Sequence, residues 1–177
     1  MSASTDPSAG PEADDSRDAV LAKAVRLRES RHREEARALL VPLSDRFPDD
    51  PEVAYQTAWV HDTLGLEAEA LPYYLRAIQR PGLTESDRRG ALLGLGSTYR
   101  VLGRYEEAVA ALRHASEEFP EDGALKTFLA MALYNTGQAH DGMGILLQLL
   151  ARTSRDKDIA VYAPAIEHYA KDLDATV

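Results

Sequence analysis

The chain has 177 residues, which is enough for one domain with a substantial core and too few for two. Its net charge of −9 argues against nucleic acid as the main ligand, because phosphate binding requires a basic surface. The absence of cysteine excludes disulfides, thiolate catalysis and cysteine-ligated metals, and it predicts a protein of a reducing compartment, the cytoplasm.

The first sixteen residues are predicted to form a disordered acidic tail. Residues 1–16 are small, polar, acidic and proline-containing, so they carry too little apolar surface to fold. They lack the basic start and the apolar stretch of a secretory signal, and no apolar run in the chain approaches the length that spans a bilayer. We therefore expect a tail, then a folded domain without a membrane segment.

From residue 17 onwards the sequence repeats itself with a period of 34 residues. A column of alanines and a column of glycines share the spacings 34 and 38. The alanine column comprises Ala36, Ala70 and Ala108, and the glycine column comprises Gly65, Gly103 and Gly137. The difference of four residues is an insertion within residues 80–89. The predicted repeats cover about residues 17–50, 51–84, 89–122 and 123–154.

Each repeat contains two amphipathic stretches separated by a turn. In the third repeat, Leu92, Leu95 and Tyr99 recur at spacings of three and four, which indicates one apolar face of a helix. Gly103 ends this helix, and Pro120 ends the next one. No segment shows the sustained alternation that is typical of a strand. We predict an all-α superhelix of four helix-turn-helix repeats, with no sheet.

Residues 155–177 are predicted to form a C-terminal capping helix and tail. Ile159, Tyr162, Ile166 and Tyr169 recur at spacings of three and four, again on one apolar face. Pro164 lies within this pattern and predicts either a kink or a late start of the helix. Because the terminal unit of a repeat stack needs a partly polar outer face, we expect this helix to supply it.

The repeats resemble the tetratricopeptide repeat. The matching positions of the third unit are Leu95, Gly96, Tyr99, the segment Gly103 to Ala108, Ala115 and Pro120. The first unit departs from the pattern with Arg31 in place of the turn glycine, and the fourth has Gly142 where alanine is expected. The resemblance covers residues 17 to about 154 and implies a solenoid that binds proteins or peptides. The chain is also similar to a small bacterial subfamily with about three and a half repeats and a C-terminal helix, which implies a homodimer.

The segment that begins at Gly94, GLGSTYR, raises the alternative of a phosphate-binding loop. A dinucleotide fingerprint requires a preceding strand and a third glycine where tyrosine stands, and the Gly-Lys-Ser/Thr of a Walker loop is absent. Helix packing and a turn explain Gly96 and Gly103, whereas Gly94 has no evident role. The histidines form no metal-binding pair, and the adjacent side chains of His61 and Asp62 diverge by about 100° on a helix. We predict no enzyme activity, no cofactor and no metal.

The first helix of each repeat lines the inner, concave face of such a superhelix. The candidate partner-binding residues on this face are Leu21, Val25, Arg28, Tyr55, Trp59, Asp62, Arg100, Met131, Tyr134 and Asn135. Four of them are anchor candidates, because aromatic and arginine side chains dominate interface energetics: Tyr55, Trp59, Arg100 and Tyr134. The sequence leaves open whether Trp59 is exposed in the groove or packed inside the superhelix.

These candidates indicate a binding module rather than an enzyme. Tetratricopeptide domains that bind chaperone C-termini carry Lys, Asn and Arg at positions where this chain is mostly apolar or aromatic, so the groove suits a hydrophobic or helical segment. We predict a non-catalytic protein–protein interaction module that acts as a homodimer. Two alternatives stay open, namely a structural oligomerisation subunit of a larger assembly and a small enzyme with a site in the groove. Residues 23–37, with a local charge of +3, either attract an acidic partner or form an ordinary solvated face.

Overall fold

The computed structural model describes residues 16–175. This part of the chain forms nine α-helices and no strand. The helices are α1 (Arg17–Glu29), α2 (Arg33–Arg46), α3 (Pro51–Asp62), α4 (Glu67–Gln79), α5 (Glu85–Val101), α6 (Tyr105–Glu118), α7 (Gly123–Asn135), α8 (Ala139–Thr153) and α9 (Lys157–Tyr169). Each helix packs against the next, and α1, α3, α5 and α7 also contact one another in that order. The all-α stack of four helix pairs predicted from the period is confirmed.

The odd-numbered helices begin with a side-chain cap, whereas the even-numbered helices do not. Asp50, for example, accepts hydrogen bonds from the N–H groups of Glu52 and Val53 at the start of α3. The other capping residues are Ser16, Thr84, Asp122 and Asp156. Ser16 is therefore the first residue of the fold rather than the last of the predicted tail. The rest of that tail, residues 1–15, lies outside the described residues.

Each even-numbered helix up to α8 follows a tight turn whose backbone passes through the left-handed region. The turn residues Gly65, Gly103 and Gly137 have φ angles of 74°, 74° and 79°. Arg31 occupies the same place in the first repeat, with a φ angle of 66°. In each turn the next N–H bonds back to a carbonyl of the preceding helix, as from Arg104 to Tyr99 at 2.9 Å. These contacts close the ends of the odd-numbered helices.

The four-residue insertion becomes an extra helical turn. Helix α5 has 17 residues, whereas the equivalent helices α3 and α7 have 12 and 13. Four residues are about one turn of α-helix, so the insertion lengthens α5 at its N-terminus without rotating its packing face. Arg88 in the added turn donates a hydrogen bond of 2.9 Å from Nη2 to Oε2 of Glu118 at the end of α6.

Several helical glycines allow close approaches that a Cβ atom would prevent. At Gly96 a Cβ would lie 2.3 Å from Cγ of Leu112 in α6, and at Gly94 it would lie 2.3 Å from Cζ of Tyr74 in α4. At Gly142 it would lie 2.8 Å from the carbonyl oxygen of Ala130 in α7. The glycine that departs from the repeat pattern in α8 therefore brings α8 against the backbone of α7. Gly94, which had no role from the sequence alone, makes room for a tyrosine ring.

The C-terminal helix begins at Lys157, ahead of Pro164, so the late start is wrong. Its exposed side chains are both polar and apolar, and they include Lys157, Asp158, Val161, Tyr162, His168 and Tyr169. Among the other helices, α9 contacts only α8. No helix in residues 16–175 combines the length and apolar character needed to cross a bilayer.

Candidate interaction groove

A groove of about 510 Å³ lies along the odd-numbered helices. We call it the inner groove; its walls come from α3, α5 and the start of α7, with one side chain from α4. The lining residues are Tyr55, Trp59, Asp62, Tyr74, Ser86, Arg89, Gly90, Leu93, Gly94, Ser97, Asp122, Ala124 and Phe128. Stacking of successive repeats therefore produces one continuous cavity from residues that are far apart in the sequence.

Trp59 stands on the wall of this groove and is 37% exposed. The guanidinium carbon of Arg28 lies 3.4 Å from the centroid of its ring, a cation–π contact between α1 and α3. Tyr55, one turn earlier on α3, stacks against the indole with the ring centroids 5.5 Å apart. Two neighbours thus hold Trp59 in one orientation while part of its surface faces solvent. The sequence left open whether Trp59 is exposed in the groove or packed inside the superhelix, and in the structure it is partly exposed in the groove.

Tyr55 reaches the groove from a buried position. The residue is only 5% exposed, and burial raises the pKa of its hydroxyl to about 12. A Cβ at Gly90 would lie 2.2 Å from the Tyr55 hydroxyl oxygen, so the absence of a side chain at Gly90 is what lets this tyrosine lie against α5. The contact fixes the wall of the groove that Trp59 and Tyr55 share.

Asp62 ends the same row on α3 and is half-buried. The hydroxyl of Tyr74 donates a hydrogen bond of 3.0 Å to its Oδ2. Burial raises the pKa of Asp62 above its ordinary value, and the hydrogen bond from Tyr74 acts in the opposite direction. The pKa of the Tyr74 hydroxyl is also raised, first by burial and then by the neighbouring carboxylate.

His61, next to Asp62 in the sequence, points to a different cavity. Its Nδ1 lies 2.7 Å from the carbonyl oxygen of Thr57, and Nε of Arg37 donates to its Nε2 at 3.2 Å. This second cavity, of about 480 Å³, lies between α2, α3 and α4 and is lined in part by Tyr73 and Arg76. His61 and Asp62 do not share a site, as their helical positions predicted. No group of three or more His, Asp or Glu side chains in residues 16–175 is arranged to hold a metal ion.

The candidates at the C-terminal ends of α5 and α7 do not line the inner groove. Tyr134 is 72% exposed, and Met131 is half-buried. Nε of Arg100 and Oδ1 of Asn135 are buried and make no hydrogen bond within the described chain. Arg100, Met131, Tyr134 and Asn135 stay a proposed extension of the groove.

The two remaining candidates belong to the first repeat. Leu21 is only 4% exposed and lies in the apolar cluster that joins α1 and α2 to α3, so it presents no binding surface. Val25 is half-buried against the same cluster. Leucine is too short to reach past this cluster, whereas Tyr55, 34 residues later in the equivalent place, extends to the groove. The expectation that Leu21 contacts a partner is corrected accordingly.

Sequence reasoning missed several residues of the groove. Tyr74 lies on α4, which is not an inner helix, and no single-repeat pattern indicates that its ring passes over Gly94. Phe128 lies on an inner helix, α7, but it was not among the candidates on that helix. Ser86 lies in the extra turn of α5 and Arg89 directly follows it, and the insertion in the repeat was the signal that could have identified them. Arg89 pairs with Asp122 across the groove at 3.4 Å.

The sequence model of the tetratrico peptide repeat family matches residues 51–173. The chain belongs to the tetratricopeptide repeat family. The match begins at α3, so the first helix pair lies outside it, although its turn and its alanine column follow the same plan. No curated protein sequence matches the chain.

Solved structures of other tetratricopeptide repeat proteins share the fold. YrrB, a TPR protein with an unusual peptide-binding site, aligns with a TM-score of 0.70 and 16% identity over 92% of this chain and 82% of its own. MamA aligns with a TM-score of 0.68 and 17% identity over 85% and 81%. PilF of Pseudomonas aeruginosa aligns with a TM-score of 0.63 and 19% identity over 89% and 70%. Identities this low show a common fold only.

Proposed function

We propose that the protein is a non-catalytic interaction module that docks a peptide or helix in the inner groove. The observation that carries this proposal is Trp59, a large aromatic side chain that is fixed by its neighbours and yet exposed on a groove wall. Tetratricopeptide repeats generally serve as scaffolds for protein partners, and the peptide-binding site of YrrB is consistent with such a role for this fold.

The groove is suited to binding because it is already formed. Arg28 and Tyr55 hold Trp59 in place, and Gly90 and Gly94 hold Tyr55 and Tyr74 against α5. A preorganised wall loses little conformational entropy when a partner docks, so more of the contact energy appears as affinity. Leu93 and Phe128 add apolar surface to the same groove.

Selection from a random peptide library on the immobilised full chain tests the proposal. Because Trp59 is the only tryptophan, its fluorescence reports binding in the groove directly. We expect selected peptides to shift this emission, and Trp59→Ala to weaken their binding by about tenfold or more, as for an aromatic hot spot. Tyr105→Ala, which removes an aromatic of nearly equal exposure on α6, is the matched control. Binding that survives Trp59→Ala unchanged would exclude the groove as the docking site.

We further infer that the chain is a homodimer joined through α8 and α9. Six of the eleven exposed large hydrophobic side chains in residues 16–175 lie on these two helices, so exposed apolar side chains are concentrated at this end of the stack. They are Met143, Leu146, Leu150, Val161, Tyr162 and Tyr169. A second copy presents the same surface, and a two-fold axis pairs the two faces in a closed complex. The same face also suits a subunit of a larger assembly, which is the second candidate function.

A further inference from the structure

Within the described chain, Asp62 is the only carboxylate on the wall of the inner groove that no cation neutralises. Among these residues, the hydroxyl of Tyr74 is its one hydrogen-bond donor, and no Lys, Arg or His lies within ion-pair distance. The other groove carboxylate, Asp122, is paired with Arg89 at 3.4 Å and accepts the N–H of Leu125 as a helix cap. Oδ1 of Asp62 is therefore an open acceptor in a partly desolvated position.

Arg28, the arginine of the neighbouring repeat that contacts Trp59, does not fill this role. Its guanidinium lies over the Trp59 ring, and among residues 16–175 the one carboxylate within 4 Å of it is that of Glu29, at 3.8 Å. The position of Arg28 is thus fixed by the aromatic wall, and the charge of Asp62 remains uncompensated in the free protein.

A half-buried carboxylate with one hydroxyl donor is poorly solvated, because burial removes water without supplying enough hydrogen bonds. The raised pKa of Asp62 has the same cause. A guanidinium or ammonium group from outside supplies charged N–H donors to such an oxygen, and its methylene stem packs on the adjacent aromatic and apolar surface. Trp59, three residues earlier on α3, together with Leu93 and Phe128 provides that surface.

We propose that the inner groove recognises a partner segment that carries an arginine or lysine side chain next to apolar residues, with Asp62 as the receptor of the cation. The net charge of −9 favours a basic partner at longer range. The inference rests on the proposed function, since it specifies the chemistry of the segment that docks there.

The test compares the peptides selected on the wild-type chain with those selected on Asp62→Asn, which keeps the shape of the side chain and removes its charge. We expect wild-type selections to be enriched in arginine or lysine flanked by apolar residues, and Asp62→Asn selections to lose that enrichment. Asp141→Asn, which removes an exposed charge on α8, is the matched control for a change in overall charge.

One selected peptide is then titrated together with an analogue in which citrulline replaces the arginine. We expect Asp62→Asn and the citrulline substitution each to weaken binding by about tenfold or more, and the two together to cost little beyond either one, because they remove the same contact. This comparison does not depend on the stability of the variant, since the peptide change alone reports the contact on the wild-type chain.

The outcomes separate the two proposals. One contrary result is a set of selected peptides that bind through Trp59 and yet are acidic or purely apolar. Another is equal binding with citrulline in place of arginine. Either result would overturn the role of Asp62 and leave the groove as a docking site. Selections that yield no binding peptide would overturn both. Equal losses with Asp62→Asn and Asp141→Asn would show an effect of net charge rather than a contact, and would also overturn the role of Asp62.

Discussion

At the turn inside each repeat, four residues share one backbone conformation but not one side chain. Gly65, Gly103 and Gly137 adopt positive φ angles at no steric cost, whereas Arg31 adopts 66° with a Cβ atom present. In this region the Cβ of an ordinary residue crowds the following carbonyl oxygen, at a cost of roughly 1–2 kcal/mol. The first repeat therefore carries local strain that the other three avoid.

Arg31→Gly is expected to stabilise the chain by about 0.5–1 kcal/mol, because the relieved strain exceeds the extra backbone entropy of glycine in the unfolded state. Urea denaturation followed by circular dichroism measures the change. Arg31→Ala is the matched control, since it removes the exposed arginine but keeps the Cβ, and it should give no such gain. Equal stabilities of the glycine and alanine variants would contradict the argument.

Single residues also show the limits of what the sequence predicts. The turns at the three glycines and the exception at Arg31 can be predicted by aligning the repeats, because a turn depends only on residues that are close in the sequence. The roles of Gly90 and Gly94 cannot, since each depends on a tyrosine from another helix that meets α5 only in the folded stack. The burial of Leu21 was missed for the same reason. Side chains at equivalent positions of the repeats point in the same direction, but they contact different residues.

At the scale of the helix, the extra turn of α5 is the clearest departure from the repeat. It places Ser86 on the wall of the groove and Arg88 against the end of α6. Hydrogen bonding to Arg88 is the main reason that the pKa of Glu118 lies below its ordinary value. The ion pair therefore ties the added turn to the helix that follows it.

Glu118→Gln should lower the free energy of unfolding by about 0.5 kcal/mol at pH 7, a modest value because the pair is partly exposed. The folded-state pKa of Glu118 is depressed, so its contribution is complete above the unfolded-state pKa and is lost as the pH falls through the folded-state value. The stabilities of the wild-type chain and the Glu118→Gln variant, measured by urea denaturation, should thus differ at pH 7 and converge in acid. Glu117→Gln, which alters the adjacent exposed carboxylate, should show neither effect, and a difference that persists in acid would contradict the ion-pair account.

Helices and their order were predictable because the evidence for them recurs four times in one chain. The period, the turn glycines and the apolar spacing each fix the same boundaries, and the insertion of four residues was visible as a shift in that period. Helix α9 has no second copy to compare with, and the sequence did not show how many apolar side chains it exposes. A repeat pattern shows which face of a helix packs on its neighbour, but it does not show whether the opposite face is covered.

The two ends of the whole molecule differ in polarity. No large hydrophobic side chain is exposed on α1 or α2, whereas α8 and α9 expose six. Large apolar side chains that are exposed at one end of a repeat stack form a surface that a partner can bury. This difference between the two ends of the described chain is the physical argument for the proposed dimer.

The dimer proposal makes a measurable distinction between the two faces of the molecule. Light scattering should give twice the monomer mass of 19.4 kDa at micromolar concentrations. Tyr162→Asp should restore the monomer, because it places a charge in the proposed interface that α8 and α9 of one chain form with a second chain. Tyr162 is 65% exposed in one chain, so the substitution does not disturb the fold itself. Tyr134→Asp changes a similarly exposed tyrosine on α7 and should leave the dimer intact. If Tyr134→Asp dissociates the complex and Tyr162→Asp does not, the chains join through the α7 side of the molecule. A monomer at all concentrations would exclude the dimer. The inner groove would still be tested separately by the fluorescence of Trp59.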